Sequence, residues 1–257
     1  SAILSVKEGR AQAMVSAGST GALLASGMVR LGRIKGVERP ALATVIPSRK
    51  RPFLLIDSGA NVDCLPKYLV QFGMMGSVYM HRILGVDEPR VGLVNIGAEA
   101  EKGNQLTKET FKLMQAQAQF RFEGNVEARD IPSGDIDVVV ADGFAGNLIL
   151  KYTEGLAQAL VGMLKDEIQS SRKSMLGAAM MKDAFQSFKA RMDYEEQGGA
   201  PLLGVNGAVV KAHGSSTARA FKNAIGQAYR MVKTGMVAEI EKGIAEIAQA
   251  EKKEENA

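Results

Sequence analysis

A single cysteine, Cys64, occurs in 257 residues. That excludes an intramolecular disulfide framework and accords with a reducing cytoplasm. No apolar run approaches the length needed to cross a bilayer, and the first residues lack the pattern of a signal peptide, so a soluble chain is expected, with attachment to a membrane surface left open. Metal-ligating Cys/His clusters, internal repeats and low-complexity linkers are missing as well. Neither the Walker spacing nor a G-x-G-x-x-G turn is present, which argues against a nucleotide-hydrolysing P-loop and an ordinary dinucleotide fingerprint. Lys and Arg exceed Asp and Glu by only 32 to 28. Without a concentrated basic face that excess is too slight for nucleic acid, though it suits anionic ligands or an acidic partner.

The composition that remains is ordinary globular material, 46% hydrophobic and 23% charged, enough for one large domain or two small ones. Ala41–Ile46, Phe53–Ile56, Val91–Ile96 and Ile136–Ala141 are short, mostly branched apolar runs, the pattern of strands covered on both faces. Ala13–Ala17 and Leu202–Lys211 read as two more. Helical spacing is predicted over Ala2–Gln12, Thr20–Leu31, Pro66–Leu84, Gln105–Gln119 and Ala218–Val232, with Ser19 as a candidate cap. Alternating strands and helices predict an α/β fold of three layers, α/β/α, around a largely parallel, doubly wound sheet. From Leu148 to Ser170 the spacing is helical, and after Arg172-Lys173 a second helical run continues to about Met192. The expectation is a helical hairpin, residues 148–195, standing off a single domain at 1–235. A C-terminal helix from Met236 then fades into a charged tail at 236–257 that should fray.

Four glycine-bearing turns follow apolar strands: Gly18-Ser19-Thr20-Gly21, Asp57-Ser58-Gly59-Ala60-Asn61, Asp142-Gly143-Phe144-Ala145-Gly146-Asn147 and Ala212-His213-Gly214-Ser215-Ser216. Three of them open into helices. A helix start exposes unpaired N–H groups and the positive end of a dipole, so several starts along one sheet edge make an anion site. Taken singly, each turn is explained as well by the fondness of tight turns for Gly, Ser and Asn.

In combination the wording is more specific. Ser16-Ala17-Gly18-Ser19-Thr20-Gly21-Ala22, Asp57-Ser58-Gly59-Ala60-Asn61-Val62-Asp63-Cys64, Asn95-Ile96-Gly97-Ala98-Glu99-Ala100-Glu101-Lys102-Gly103-Asn104, Asp142-Gly143-Phe144-Ala145-Gly146-Asn147 and His213-Gly214-Ser215-Ser216 stand in this order. Together they closely resemble the bacterial phosphate acyltransferases of the PlsX type, from about Ile3 to about Val232. The sequence departs from that family in lacking its first strand and the Asp-Ala-Met-Gly-Gly-Asp turn that follows, so the resemblance implies an N-terminally incomplete chain short of one wall of its site.

The resemblance implies a phosphotransacetylase-like or isopropylmalate-dehydrogenase-like fold, a homodimer, and acyl transfer from acyl carrier protein to inorganic phosphate. Phosphate is then a substrate, and neither metal nor organic cofactor is implied. It also implies a cytoplasmic, peripherally membrane-associated protein that passes acyl phosphate to a glycerol-3-phosphate acyltransferase in phospholipid synthesis. Phosphate is already a nucleophile, so the chemistry needs placement, charge neutralisation and an oxyanion site rather than a covalent protein nucleophile. On this reading Lys102 fixes phosphate or the oxyanion, the alternative being a solvated surface lysine. Asp142 either orients Lys102, accepts a proton or caps a helix. His213 protonates the departing thiolate, donates to phosphate, or serves only as a turn residue. Ser19, Thr20, Asn61, Asn104, Gly143, Asn147, Gly214, Ser215 and Ser216 are the candidate phosphate-binding positions, Asn104 and Asn147 equally explicable as caps. His81 reads as a packed or surface histidine, and Cys64 as a small buried hydrophobe without an activating base.

The hairpin carries a separate expectation. Met175, Leu176, Met180 and Met181 make a soft apolar patch edged by Arg172, Lys173 and Lys182, suited to a bilayer interface, a fatty chain or an acidic carrier, with core packing or a dimer contact as the alternative. Rival functions are a short-chain phosphotransacylase using coenzyme A and a non-catalytic membrane- or carrier-binding module. A decarboxylating dehydrogenase is more distant, because no metal-binding carboxylate cluster or nicotinamide fingerprint is evident.

Overall fold

The computed structural model describes residues 2–192 and 198–255. In chain order the elements are α1 (Ala2–Lys7), β1 (Ala13–Ser16), α2 (Thr20–Ser26) running into a π turn at Gly27–Leu31, β2 (Ala41–Ile46), β3 (Phe53–Ile56), α3 (Pro66–Leu84), β4 (Arg90–Asn95), α4 (Gln105–Gln115) and β5 (Arg121–Glu127). Then follow β6 (Val138–Val140), α5 (Gly143–Gln169), α6 (Arg172–Met180), α7 (Lys182–Met192), β7 (Ala200–Leu203), β8 (Ala208–Lys211), α8 (Ala218–Lys233) and α9 (Met236–Glu255).

The strands form one sheet in the order β1-β8-β7-β2-β3-β6-β4-β5. Four neighbouring pairs are parallel, β1/β8, β3/β6, β6/β4 and β4/β5, whereas β8/β7, β7/β2 and β2/β3 are antiparallel. The mostly parallel α/β ladder is therefore as expected, but its middle reverses. As a result β1 and β8 run in the opposite ladder sense to β3, β4 and β6, and that reversal decides where the glycine turns lie.

Side-chain alternation explains the layers. On one face Leu54 and Ile56 of β3, Val138 and Val140 of β6, and Val210 of β8 pack with Phe72, Met75 and Tyr79 of α3, Ala224 and Met231 of α8, and Ile240 and Ile244 of α9. On the other face Phe53, Leu55 and Val139 meet Ile149 and Leu150 of α5. Farther along that face, Val209 of β8 and Leu202 of β7 meet Ile3 of α1 and Leu23 of α2. The sheet is thus covered on both sides. Beyond its first turns α5 leaves the sheet: only Gly143 and Gly146 in it are fully buried, and α6 and α7 bury none of their residues. The return is pinned where Arg191 Nη2 donates to the carbonyl of Arg49 at 3.0 Å.

Several boundaries differ from the sequence reading. The first helix ends at Lys7 instead of Gln12, with Gly9 at φ +72° just beyond it. The run Leu202–Lys211 is two antiparallel strands, separated at Gly204, whose φ of +91° is open to glycine but costly to other residues. Arg121–Glu127 was not expected as a strand, since its polar sequence carries no apolar run; it forms the sheet edge by parallel pairing with β4. Of the expected hairpin 148–195 and tail 236–257, residues 193–195 and 256–257 lie outside the described residues.

Candidate active site

The site is assembled from the loops after β3, β4 and β6. At the end of β3 the carboxylate of Asp57, wholly buried, accepts hydrogen bonds from the backbone N–H groups of Gly59 (3.1 Å), Ala60 (2.9 Å), Asn61 (2.6 Å) and Leu42 (3.2 Å) and from Asn61 Nδ2 (2.8 Å). Burial pushes this carboxyl above its ordinary range, and the N–H donors pull it back in part. The turn so fixed is the seat of α5. Gly143 donates its N–H to the Asn61 carbonyl at 2.7 Å, and a Cβ on Gly146 would sit 1.9 Å from the Asp57 carbonyl oxygen. Only a residue without a side chain permits that approach.

Asp142 is the N-cap of α5, accepting from the Ala145 N–H at 2.8 Å. Asn104 caps α4 in the same way, accepting from the Thr107 N–H at 2.9 Å. The loop leading to Asn104 is held by the buried Asn95, whose Nδ2 donates to the Lys102 carbonyl at 3.0 Å and whose Oδ1 accepts the Ile96 N–H at 2.9 Å. Gly103 between them has φ +94°, and a Cβ there would fall 2.1 Å from Thr107 Oγ1 and 2.3 Å from Asn95 Oδ1. Glycine is required twice over at that position.

Asn104 and Leu106 of one loop, Asp142 and Phe144 of another, and Val62, Asp63 and Cys64 ahead of α3 line a common cleft of about 410 Å³. The starts of α4 and α5 therefore open onto one space; the N–H groups of Gly143, Ala145 and Thr107 are already taken by Asn61, Asp142 and Asn104, and the helix dipoles with the remaining first-turn N–H groups make the space attractive to an anion. Its rim is apolar: Val62 and Phe144 are each 60% exposed, and Leu148 continues the strip along α5. The cleft thus offers an anion seat beside an apolar wall. Lys102, two residues before Asn104 in the chain, is exposed and does not line the cleft; its stem lies over Gly97, where an added Cβ would come within 2.9 Å of Lys102 Cγ.

Asp142 and Lys102 are not in direct contact as an ion pair: among the described residues none within 4.0 Å joins them, and Asp142 spends one oxygen capping α5. Asn147 lies against Gly59, whose added Cβ would be 3.3 Å from Asn147 Oδ1. Cys64 sits in the cleft wall, with Sγ 3.4 Å from the Asn61 carbonyl. Burial, helped by the charge of Asp57, pushes its thiol up to about 12, so at neutral pH it is a thiol and a poor nucleophile. His81 packs at the end of α3 with Nδ1 3.1 Å from the Val86 carbonyl.

The remaining candidates form a second group after β1 and β8. Ser16 Oγ accepts the Gly18 N–H at 3.2 Å, and Ala212 donates its N–H to the Ser16 carbonyl at 2.9 Å, so the Ser19-Thr20 and His213-Gly214-Ser215-Ser216 turns are neighbours. Ser19 precedes α2 but makes no side-chain cap bond. His213 Nδ1 accepts the Ser215 N–H at 3.2 Å and lies 2.6 Å from Ser215 Oγ. A backbone N–H can only donate, so in the neutral ring Nδ1 is the acceptor and Nε2 carries the hydrogen. Because β1 and β8 run counter to β3, β4 and β6, this group leaves the sheet in the opposite ladder sense from the Lys102–Asp142 group. The hydrogen bonds described tie each group within itself.

Sequence reasoning missed Asp57 and Asn95, the two buried side chains that hold the loops. It also missed Lys211, at the end of β8 beside His213, which burial shifts below the ordinary lysine range. Asp57 was legible in principle: a strand followed by Asp-Ser-Gly is a local signature of a side chain that hydrogen-bonds its own turn. Among the described residues no group of three or more His, Cys, Asp or Glu side chains is arranged to hold a metal, and no helix is long and apolar enough to cross a membrane.

Comparison with known proteins is consistent with this geometry. The family described as fatty acid synthesis protein matches residues 1–239. A phosphate acyltransferase of Clostridium botulinum (strain Loch Maree / Type A3) is 53% identical over 244 residues, 95% of this chain and 72% of that protein. Among solved structures, a phosphotransacetylase from Streptococcus pyogenes aligns with TM-score 0.59 at 18% identity, over 90% of this chain and 66% of the other. The EutD phosphotransacetylase from Staphylococcus aureus gives TM-score 0.57 at 15% identity, over 92% and 66%. At such identities the structural likeness speaks to the fold alone.

Proposed function

Because the chain belongs to the fatty acid synthesis protein family, that of the PlsX-type phosphate acyltransferases, we propose that it transfers a long-chain acyl group from acyl carrier protein to inorganic phosphate. The observation that carries the reading is the meeting of the α4 and α5 starts at one cleft with an apolar rim. An anion seat beside an apolar wall suits a phosphate nucleophile next to a fatty thioester.

In the proposed step a phosphate oxygen attacks the thioester carbonyl and forms the new C–O bond. The tetrahedral intermediate collapses with loss of the C–S bond, and the proton that hydrogen phosphate brings ends on the carrier thiol. Acyl phosphate and free carrier are the products, with no change of oxidation state. The N–H groups at the α4 and α5 starts, the Asn104 and Asn147 amides and the Lys102 ammonium hold phosphate and the developing oxyanion, while the free oxygen of Asp142 handles the proton. His213 belongs to the second loop group, which leaves the sheet in the opposite ladder sense from the cleft, so it is given no part in this step. No metal or organic cofactor enters this step.

The acyl phosphate would pass to a glycerol-3-phosphate acyltransferase in phospholipid synthesis. Leu148, Tyr152, Leu156 and Leu160, exposed at four-residue spacing along α5, support a homodimer formed on that stripe. The hairpin patch of Met175, Leu176, Met180 and Met181 is exposed beside Arg172, Lys173 and Lys182, which supports peripheral membrane contact from the cytoplasmic side.

The test is phosphate-dependent release of carrier thiol from a long-chain acyl carrier. Lys102→Ala should lower kcat/KM by about 10²-fold to 10³-fold, the usual loss for one preorganised group facing a developing oxyanion, and Lys102→Arg should restore part of it. Near-normal turnover by a folded Lys102→Ala protein would remove Lys102 from the step. Strong preference for short acyl-coenzyme A over the carrier substrate would favour the phosphotransacylase alternative.

A further inference from the structure

A second cleft, of about 450 Å³, lies near the start of α3. Met28 and Val29 of the π turn line it, with Arg33, Glu38 and Arg39 of the following loop and Tyr68 of α3. Its electrostatics are one-sided. Glu38 is the single acid in the lining, and its carboxylate is already taken by Lys67 Nζ at 2.8 Å; that ammonium holds the Glu38 carboxyl below its ordinary range. Arg33 donates to the Glu38 carbonyl instead of to a carboxylate. Arg39 makes no ion pair within 4.0 Å among the described residues, and Arg33, Arg39 and Lys67 are all exposed. Val29, 76% exposed, adds an apolar foothold between the cations.

The loop that carries these charges is braced by hydrogen bonds to its surroundings. The Arg33 backbone bridges to Val205, its carbonyl accepts from Asn206 Nδ2 at 2.7 Å, and Gln71 braces Gly36 and Glu38 through hydrogen bonds of 2.9 and 2.8 Å. It is also joined to the candidate active site. Pro40, next to Arg39, accepts a hydrogen bond from Asn61 Nδ2 at 2.8 Å, and Asn61 belongs to the turn on which α5 is seated. The chain into α3 contributes to both clefts at different points, Val62, Asp63 and Cys64 to the first and Tyr68 to the second.

We propose that this groove is the docking surface for the acidic carrier protein, which seats its carboxylates on Arg33, Arg39 and Lys67 while its thioester arm crosses the α3 start into the first cleft. The inference rests on the proposed transfer reaction and extends it by naming where the macromolecular substrate binds. A preformed cationic groove with a small apolar centre suits an acidic protein surface better than a free phosphate, for which the groove supplies no buried polar seat. None of its lining residues belongs to the hairpin patch offered above as the membrane contact. Charged rims of this kind act mainly on encounter rate and partner choice, which predicts strong dependence on salt.

The test measures binding and turnover separately. Fluorescence anisotropy of a labelled acyl carrier protein reads binding, while thiol release with the same acyl group on the carrier and on coenzyme A reads turnover. Arg33→Glu/Arg39→Glu should weaken carrier binding and raise the carrier KM by about tenfold or more, leaving the acyl-coenzyme A KM within about twofold, since rim charges steer the large partner and not the chemistry. Arg39→Glu alone breaks no ion pair within the described residues and should show a smaller loss of the same kind, and Arg33→Lys/Arg39→Lys should restore binding. Unchanged carrier binding in a folded double variant overturns the proposal, as does an equal rise in both KM values or a loss confined to anionic vesicles. Salt-sensitive carrier binding without any acyl transfer would sustain the groove while overturning the reaction it was thought to serve.

Discussion

Replacing Gly146 by alanine adds one methyl group where α5 crosses the Asp57 turn. The new carbon would start 1.9 Å from the Asp57 carbonyl oxygen and 3.0 Å from its carbonyl carbon, and both obstacles are backbone. Ordinary contact begins beyond 3.4 Å, so either the helix start or the turn must move by more than an ångström. The turn is poorly able to yield, because the Asp57 carboxylate ties together Gly59, Ala60, Asn61 and Leu42. Overpacking typically costs about 1–3 kcal/mol, and a backbone-on-backbone clash at a fixed turn belongs at the upper end, near 3 kcal/mol. Gly155 lies in the same helix with nothing within 4 Å of an added Cβ. There the identical change should stabilise by about 0.5–1 kcal/mol through helix propensity. Urea unfolding followed by far-ultraviolet circular dichroism should therefore give shifts of opposite sign for Gly146→Ala and Gly155→Ala. Acyl transfer should fall only in the first, since moving the start of α5 displaces Asp142 and its N–H groups. A Gly146→Ala protein within about 0.5 kcal/mol of the parent would refute the close approach that defines the cleft.

Three further outcomes can be checked. With its thiol at about 12, Cys64 should react with iodoacetamide at pH 8 on the order of 10³-fold more slowly than a free thiol, and rapid modification would contradict its burial. Asp57 binds its proton more tightly in the folded than in the unfolded chain, so its contribution to stability is largest below the ordinary carboxylate range and is lost as pH rises through the raised folded value. The stability difference between the parent and Asp57→Asn should accordingly shrink from pH 4.5 to 7.5 in urea titrations; growth over that window would reverse the assignment. Replacing Met175 and Leu176 by Asp should reduce co-sedimentation with anionic liposomes, and unchanged partitioning would count against membrane contact through the hairpin.

Much of the core was legible before folding because buried strands advertise themselves. Phe53–Ile56 is the same four residues in sequence pattern and structure, and all four are buried. Arg121–Glu127 was invisible for the converse reason: an edge strand with polar side chains is held by its ladder to β4, a partner 31 or 32 residues away that no local pattern names. The split of Leu202–Lys211 into β7 and β8 was hidden because both strands are apolar and only the backbone at Gly204 reverses them. The caps at Asn104 and Asp142 were readable from residue type and place alone. The groove at Arg33 and Arg39 was not, since it depends on Tyr68 arriving from α3 and on Lys67 of the same helix reaching Glu38.

The sequence by itself determined the glycine turns, the helix starts that follow them and the family to which they belong, because small residues, caps and apolar periodicity act over a few neighbouring positions. Only the tertiary structure decided which turns meet. The antiparallel strands β7 and β2 in mid-sheet send the loops after β3, β4 and β6 to one cleft and those after β1 and β8 away in the opposite ladder sense. Strand direction is a property of long-range pairing, which no short stretch of chain encodes.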